Sequence, residues 1–312
     1  MPRTIKGKYV TEAAQVFQNG DDFWHAGQYD EARDAYKKAA VLYKNKDDTE
    51  GEAFALMRLG ELELSIGHHK EAESALLKAV ELTKDFDFSQ NTYGEILINL
   101  AKVELAKNDV LKANYYLKEA QTVLGAIDNK NLLGDTFDQQ GYLFLLENKQ
   151  DEALDAYKKA AALYKKEGIS LKEASVLRAI ARIEMKNHNY DIAHDVLEEC
   201  RDLYRENGDL LGEASALSAI GCLRYIIRDI ENARKALMKS VYLYGKVAHH
   251  FAEAESLLYL ARVEAYDKQS GDFERAKSHY KRAIDLFGFL ENDTMKNSVL
   301  NEYNNFLNRI AG

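Results

Sequence analysis

Four groups of side chains in this sequence could do chemistry. They are two histidine pairs (His68-His69 and His249-His250), the thiols of Cys200 and Cys222, an abundance of carboxylates, and a set of basic residues in which Arg178 and Arg182 stand four apart. Zinc needs ligands that converge, whereas adjacent helical residues diverge, so the histidine pairs read as solvated turn residues. Cys200 reads as a buried packing residue and Cys222 as a thiol facing a groove. The carboxylates read as the solvated faces of amphipathic helices. No phosphate-cradling glycine loop, nucleophile elbow or His-Glu-x-x-His is present. No catalytic residue, metal or cofactor is expected, and the chain reads as a non-enzyme. Recognition remains, because two arginines one helical turn apart can each grip a carboxylate through paired hydrogen bonds.

Those arginines stand out against the overall charge. Lys and Arg total 42 and Asp and Glu 51, a net charge of −9. That balance argues against a nucleic-acid or anionic-membrane binder, and a local basic patch would attract an acidic partner. Two cysteines do not make a disulfide framework, which points to a reducing compartment. Met1 to Val10 carries Arg3, Lys6 and Lys8 without a following apolar run, and no stretch approaches 18 apolar residues. A cytoplasmic protein is expected.

Long uninterrupted helices must position these side chains, since the sole proline is Pro2. Small residues recur at Gly20, Gly60, Ala101, Gly141, Ala181, Gly221 and Ala261, at steps of 40, 41, 40, 40, 40 and 40. Twelve residues after the first six come Ala32, Ala72, Ala113, Ala153, Ala193 and Ala233. The seventh unit has Ala276, fifteen on, which puts three extra residues around 267–271. Four further on stands a large residue: Tyr36, Leu76, Leu117, Tyr157, Leu197, Leu237 and Tyr280. Spacings of three, four and seven put these slots on one helical face, where small residues let two helices cross closely. Gly or Asn at Gly27, Gly67, Asn148 and Asn187 suits a residue leaving a helix. Each unit is therefore a helix, a short turn and a second helix. Tyr43, Tyr164, Tyr204, Tyr244 and Phe287 close the second helices and should pack on the next unit.

The pattern resembles the tetratricopeptide repeat family. It is clearest in Gly20-Asp21-Asp22-Phe23 with Gly27-Gln28-Tyr29-Asp30-Glu31-Ala32, and in Gly141-Tyr142-Leu143-Phe144 with Gln150-Asp151-Glu152-Ala153. The period is 40 rather than the family's usual 34, so longer helices are expected. Glu63, Glu104, Glu184 and Glu264 stand where the family commonly has an aromatic. This longer form is similar to the extended repeats of scaffold adaptors and peptide-sensing bacterial regulators. The resemblance implies an all-α, right-handed α-solenoid of seven helix pairs over residues 13–288. Residues 1–12 form a lead-in, and 289–312 a capping helix whose apolar side is Val299, Leu300, Tyr303, Phe306, Leu307 and Ile310.

It also implies a concave groove lined by the first helix of each unit. Counting from the small crossing residue, the slots three before and one after should face it, as should the slot one turn earlier still. The expected groove residues are Phe17, Phe54, Met57, Ile98, Lys102, Tyr142, Arg178, Arg182 and Arg262. Phe17 and Asp21 occupy the slots where the family's clamp for chaperone tails needs Lys and Asn, so that clamp is not expected. The expected function is an adaptor or scaffold binding a peptide segment of a partner protein, with an acidic or C-terminal carboxylate recognised by the basic ridge. Three alternatives stay open. The arginines could pair internally with Asp135 or Asp138, the groove could hold a short signalling peptide or small molecule, or the chain could self-associate as a scaffold.

Overall fold

A computed structural model describes residues 11–84, 90–266 and 272–311. Most of the lead-in and the three-residue insertion at 267–271 lie outside these. The described residues form fifteen helices and no strand. In chain order, the first helices of the pairs are α1 (Glu12–His25), α3 (Thr49–Ser65), α5 (Gln90–Ala106), α7 (Lys130–Leu146), α9 (Ser170–Lys186), α11 (Leu210–Ile226) and α13 (His250–Tyr266). Their partners are α2 (Tyr29–Lys44), α4 (His69–Thr83), α6 (Val110–Ala126), α8 (Gln150–Glu167), α10 (Tyr190–Glu206), α12 (Ile230–Lys246) and α14 (Phe273–Phe289), and α15 (Asp293–Ala311) follows. The chain divides into two compact units, residues 1–163 and 164–312. Within each unit, consecutive helices pack on one another, and the first helices of neighbouring pairs also touch: α3 with α5, α5 with α7, and α11 with α13. This is the all-α solenoid class of fold. Most helices run 17 residues, such as α3, α9 and α13, as the long period requires.

The periodic slots carry the core. Ala32, Ala72, Ala113, Ala153, Ala193, Ala233 and Ala276 are fully buried, and Tyr36, Leu76, Leu117, Tyr157, Leu197, Leu237 and Tyr280 pack beside them. A Cβ on Gly141 would stand 2.7 Å from the Tyr157 ring, so only glycine admits that ring against the helix backbone. Aspartates at the N-caps accept a backbone N–H three residues on, for instance Asp48 from Gly51 at 2.9 Å and Asp209 from Gly212 at 2.9 Å.

Among the described residues twelve helices are followed by a residue in the left-handed region, and the next N–H reaches back five residues, as from Gln28 to the Phe23 carbonyl at 2.9 Å. Gly27, Gly67, Gly168 and Gly208 hold this position, but so does Ala248, at φ 53°. A Cβ there clashes with the following carbonyl oxygen. Ala248 is exposed, so Ala248→Gly should stabilise the protein by about 1 kcal/mol, after offsetting glycine's greater unfolded-state entropy. Gly208→Ala should cost a similar amount. Urea midpoints of the two variants moving in the same direction would contradict this.

Helix α15 closes the second unit. Val299, Tyr303 and Phe306 are buried against Tyr280 and Phe287, with Leu307 and Ile310 packed beside them. Leu300, expected on the same side, is instead 38% exposed.

Candidate peptide-recognition site

The first helices meet through a recurring contact. The residue one after the crossing position touches the residue two before it in the next unit. In the first unit of the chain, Arg58 of α3 donates to Asp21 of α1 at 2.9 Å, and Tyr36 donates to the same carboxylate at 2.5 Å. Asn99 of α5 donates to Glu61 of α3 at 2.7 Å, and Lys102 donates to Asn99 at 3.2 Å. In the second unit, Cys222 of α11 meets the Tyr259 hydroxyl of α13. Arg262 donates twice to Glu302 of α15, at 2.8 and 2.7 Å, and Tyr280 donates to it at 2.8 Å. The partners lie 37 to 40 residues apart in sequence. The Tyr36–Asp21–Arg58 cluster of the first unit thus has a counterpart in the second, Tyr280–Arg262–Glu302, with the charges exchanged between the two helices.

This rule decides which arginines are available. Arg262 was expected to await a ligand, but the cap's carboxylate already holds it. Burial alone would raise the Glu302 carboxyl, and the Arg262 guanidinium and Tyr280 hydroxyl bring it below the usual carboxylate range. Arg182 of α9 differs. The residue 37 later is Ala219, too short to reach back, and Arg182 is exposed and makes no hydrogen bond or ion pair among the described residues. Arg178, one turn earlier and also exposed, donates only to the Ser215 hydroxyl of α11 at 2.7 Å. Cys222, one repeat on from Arg182, has its thiol pushed up to about 12 by burial and is unreactive near neutral pH.

In the first unit, Phe17 and Phe54 stand on the first-helix face with ring centroids 5.3 Å apart, and Phe54 and Tyr142 are 40% and 45% exposed. Lys102 is half-buried there. Met57 and Ile98 were expected on the same face, but they are 1% and 2% exposed. Met57 packs on Leu76 and Ala79 of α4 and on Ile96 and Leu100 of α5; Ile98 packs on Ala120 and Leu124 of α6. One residue turns a helix by about 100°, and the half-buried Arg58 takes the face beside Met57, whereas Asn99 is, like Ile98, buried.

Sequence reasoning also missed a series of buried carboxylates. Glu63, Glu104, Glu184 and Glu264 are at most 2% exposed rather than solvated. Arg33 of α2 donates to Glu63 at 2.5 Å and His68 meets it at 2.9 Å, so His68 is not merely solvated either. Lys107 donates to Glu104 at 3.0 Å, Asn189 to Glu184 at 2.7 Å, and Arg234 to Glu264 at 3.0 Å. The available signal was an arginine 30 residues before Glu63 and before Glu264. Among the described residues no group of His, Cys, Asp and Glu is arranged to hold a metal, and no helix is long and apolar enough to cross a membrane.

Paired helices in a 40-residue register, crossing at alanine and glycine, define a helical-repeat protein. Family models described as tetratricopeptide repeat match residues 11–85 and 258–287. These two stretches, about a third of the chain, place tetratricopeptide-type repeats near both of its ends. A signal transduction ATPase with numerous domains, bearing a tetratricopeptide repeat sensor, from Pyrococcus horikoshii is 16% identical with TM-score 0.68 over 95% of this chain; this chain spans about half (47%) of that one. BtubC (BKLC) from P. vanneervenii is 17% identical with TM-score 0.63, covering 72% of this chain and 92% of its own. A Rap protein complexed with competence and sporulation factor is 14% identical with TM-score 0.60, covering 83% of this chain and 76% of its own. These likenesses speak for the fold. No curated protein matches the sequence. A tetratricopeptide fold suggests protein–protein interaction.

Proposed function

We propose that the chain is a non-enzymatic interaction module of the cytoplasm, and that its second unit binds an acidic segment or terminal carboxylate of a partner protein on the first-helix face. Arg178 and Arg182 grip the carboxylates, and Ser215, which accepts from Arg178, helps to hold that side chain on the face. The observation that carries this reading is Arg182, an exposed guanidinium without an ion pair on a helix face where other arginines are partnered. An unpaired cation on a protein of net charge −9 is a local reversal of sign, which draws an acidic ligand. In the first unit, Phe17, Phe54, Tyr142 and Lys102 present a mixed apolar surface suited to side chains of a bound segment.

The likeness to a Rap protein complexed with competence and sporulation factor favours a second reading, a regulatory receptor whose face holds a short signalling ligand. Self-assembly is the third.

The test is to identify the partner by affinity capture and titrate it against wild type and the Arg178→Glu/Arg182→Glu variant. Loss of a desolvated charge pair should weaken binding by about 2–5 kcal/mol, with the melting curve little changed because neither residue occupies a crossing slot. Equal affinities would eliminate the arginine pair and move the site to the face around Phe17 and Phe54. Oligomers that grow with concentration in the absence of ligand would instead favour self-assembly.

A further inference from the structure

The end of the second unit contains a pocket apart from Arg178 and Arg182. It is a wedge of about 540 Å³ between α13 and α15, floored by Phe273 and Tyr280 of α14. Its lining also includes Tyr225 of α11, Tyr266 of α13, and Phe306 and Ile310 of α15. The tyrosine pair is built in advance of any ligand. The two rings meet edge-on with centroids 6.1 Å apart, and the Arg228 guanidinium lies over Tyr266 at 4.5 Å and near Tyr225 at 5.9 Å. A volume of this size suits a small ligand or one terminal residue of a chain.

Three charged side chains line the wedge: Arg262, Glu302 and Arg309. Glu302 is spent, accepting two hydrogen bonds from Arg262 and one from Tyr280. Those two charges cancel locally. Arg309 is exposed and makes no ion pair among the described residues, so the lining carries one uncompensated positive charge. An aromatic lining with one free guanidinium complements an apolar body bearing one negative group, and a planar carboxylate matches the guanidinium fork.

We propose that this wedge is a second binding site, taking a carboxylate carried on a flat apolar body, presented either as a free aromatic acid or as the terminal residue of a peptide. The proposal stands independently of the Arg178–Arg182 reading.

Ligand-observed NMR on the full chain tests it, with N-acetyl-phenylalanine as probe. The acid should bind, and N-acetyl-phenylalaninamide, which keeps the ring and loses the charge, should bind about ten-fold more weakly. Acetate, which keeps only the charge, should be weaker still. Arg309→Met should cost the acid about ten-fold in affinity while leaving the amide unchanged, and Arg178→Glu/Arg182→Glu should leave both unchanged. A second arm uses a tetrapeptide ending in phenylalanine, with a free or an amidated terminus. Binding of the free-terminus peptide at least as tight as that of the small acid supports a peptide terminus as the natural source, whereas binding of the small acid alone supports a free acid. Absence of binding by both acid and peptide at millimolar concentration overturns the proposal. So does equal affinity of wild type and Arg309→Met, or loss of acid binding in the Arg178→Glu/Arg182→Glu variant.

Discussion

Phe306→Ala is expected to destabilise the second unit by about 3–5 kcal/mol, the usual cost of emptying a fully buried phenylalanine site. Phe306 is 1% exposed and is the innermost anchor of α15. Its ring lies 5.6 Å from that of Tyr280 and 5.9 Å from that of Phe273. The loss should propagate outward, because Tyr280 and Phe287 are buried partly by α15 itself. In a repeat array each unit is stabilised by its neighbours, and a terminal unit has only one. Deleting residues 289–312 should therefore go further and give aggregation, since it bares the apolar side of α14. Circular dichroism in urea reads the first variant and light scattering the second. An unchanged midpoint together with a monodisperse truncated chain would show that α15 is not a seated cap.

The second large effect is expected in the first unit. Arg33→Met should cost about 3–5 kcal/mol, because it leaves the Glu63 carboxylate buried with only His68 beside it. The Arg33→Met/Glu63→Leu double variant should recover most of that loss, since an apolar pair of similar volume needs no compensation for desolvation. Trp24, the sole tryptophan, packs edge-on against Tyr36 in this unit, and its fluorescence reports unfolding there. The pair also predicts a pH dependence. Burial would raise the Glu63 carboxyl, but hydrogen bonds from Arg33 and His68 outweigh it and hold the group below its ordinary value. A depressed folded-state pKa means that its stabilisation is fully present above the unfolded value of about 4.3 and is lost as pH falls through the folded value. Wild type should therefore lose stability more steeply on acidification than the double variant. Parallel stability curves for the two proteins below pH 5 would refute the ion pair as the cause.

The arginines on the first-helix faces show where reading the sequence stops. Arg182 and Arg262 occupy the same slot, one after the crossing residue, and Arg178 lies one turn earlier, so the repeat alone expects all three on the same face. Their availability depends on what a neighbouring helix offers 37 to 40 residues later: a serine to Arg178, an alanine opposite Arg182, a glutamate to Arg262. Had the register between slots been followed from one unit to the next, the Arg262–Glu302 and Asp21–Arg58 pairs would have been legible. The separations of 37 and 40 were present in the sequence but had no prior meaning.

The helix pairs, their 40-residue register and the crossing residues follow from local patterning alone. Helix formation and close crossing are local demands, repeated seven times: an alanine or glycine where backbones approach, a large side chain beside it, and a residue able to leave the helix. Burial and pairing of individual side chains were decided only by the tertiary structure. Met57 sits about 100° of helical rotation from the half-buried Arg58, while Ile98 and its neighbour Asn99 are both covered, and the position of the adjoining helices settles where that boundary falls. Glu63 and Glu264 look like solvated carboxylates along their own helices. They are core residues because the preceding second helix brings an arginine to each of them, and a buried charge persists only where such a partner meets it.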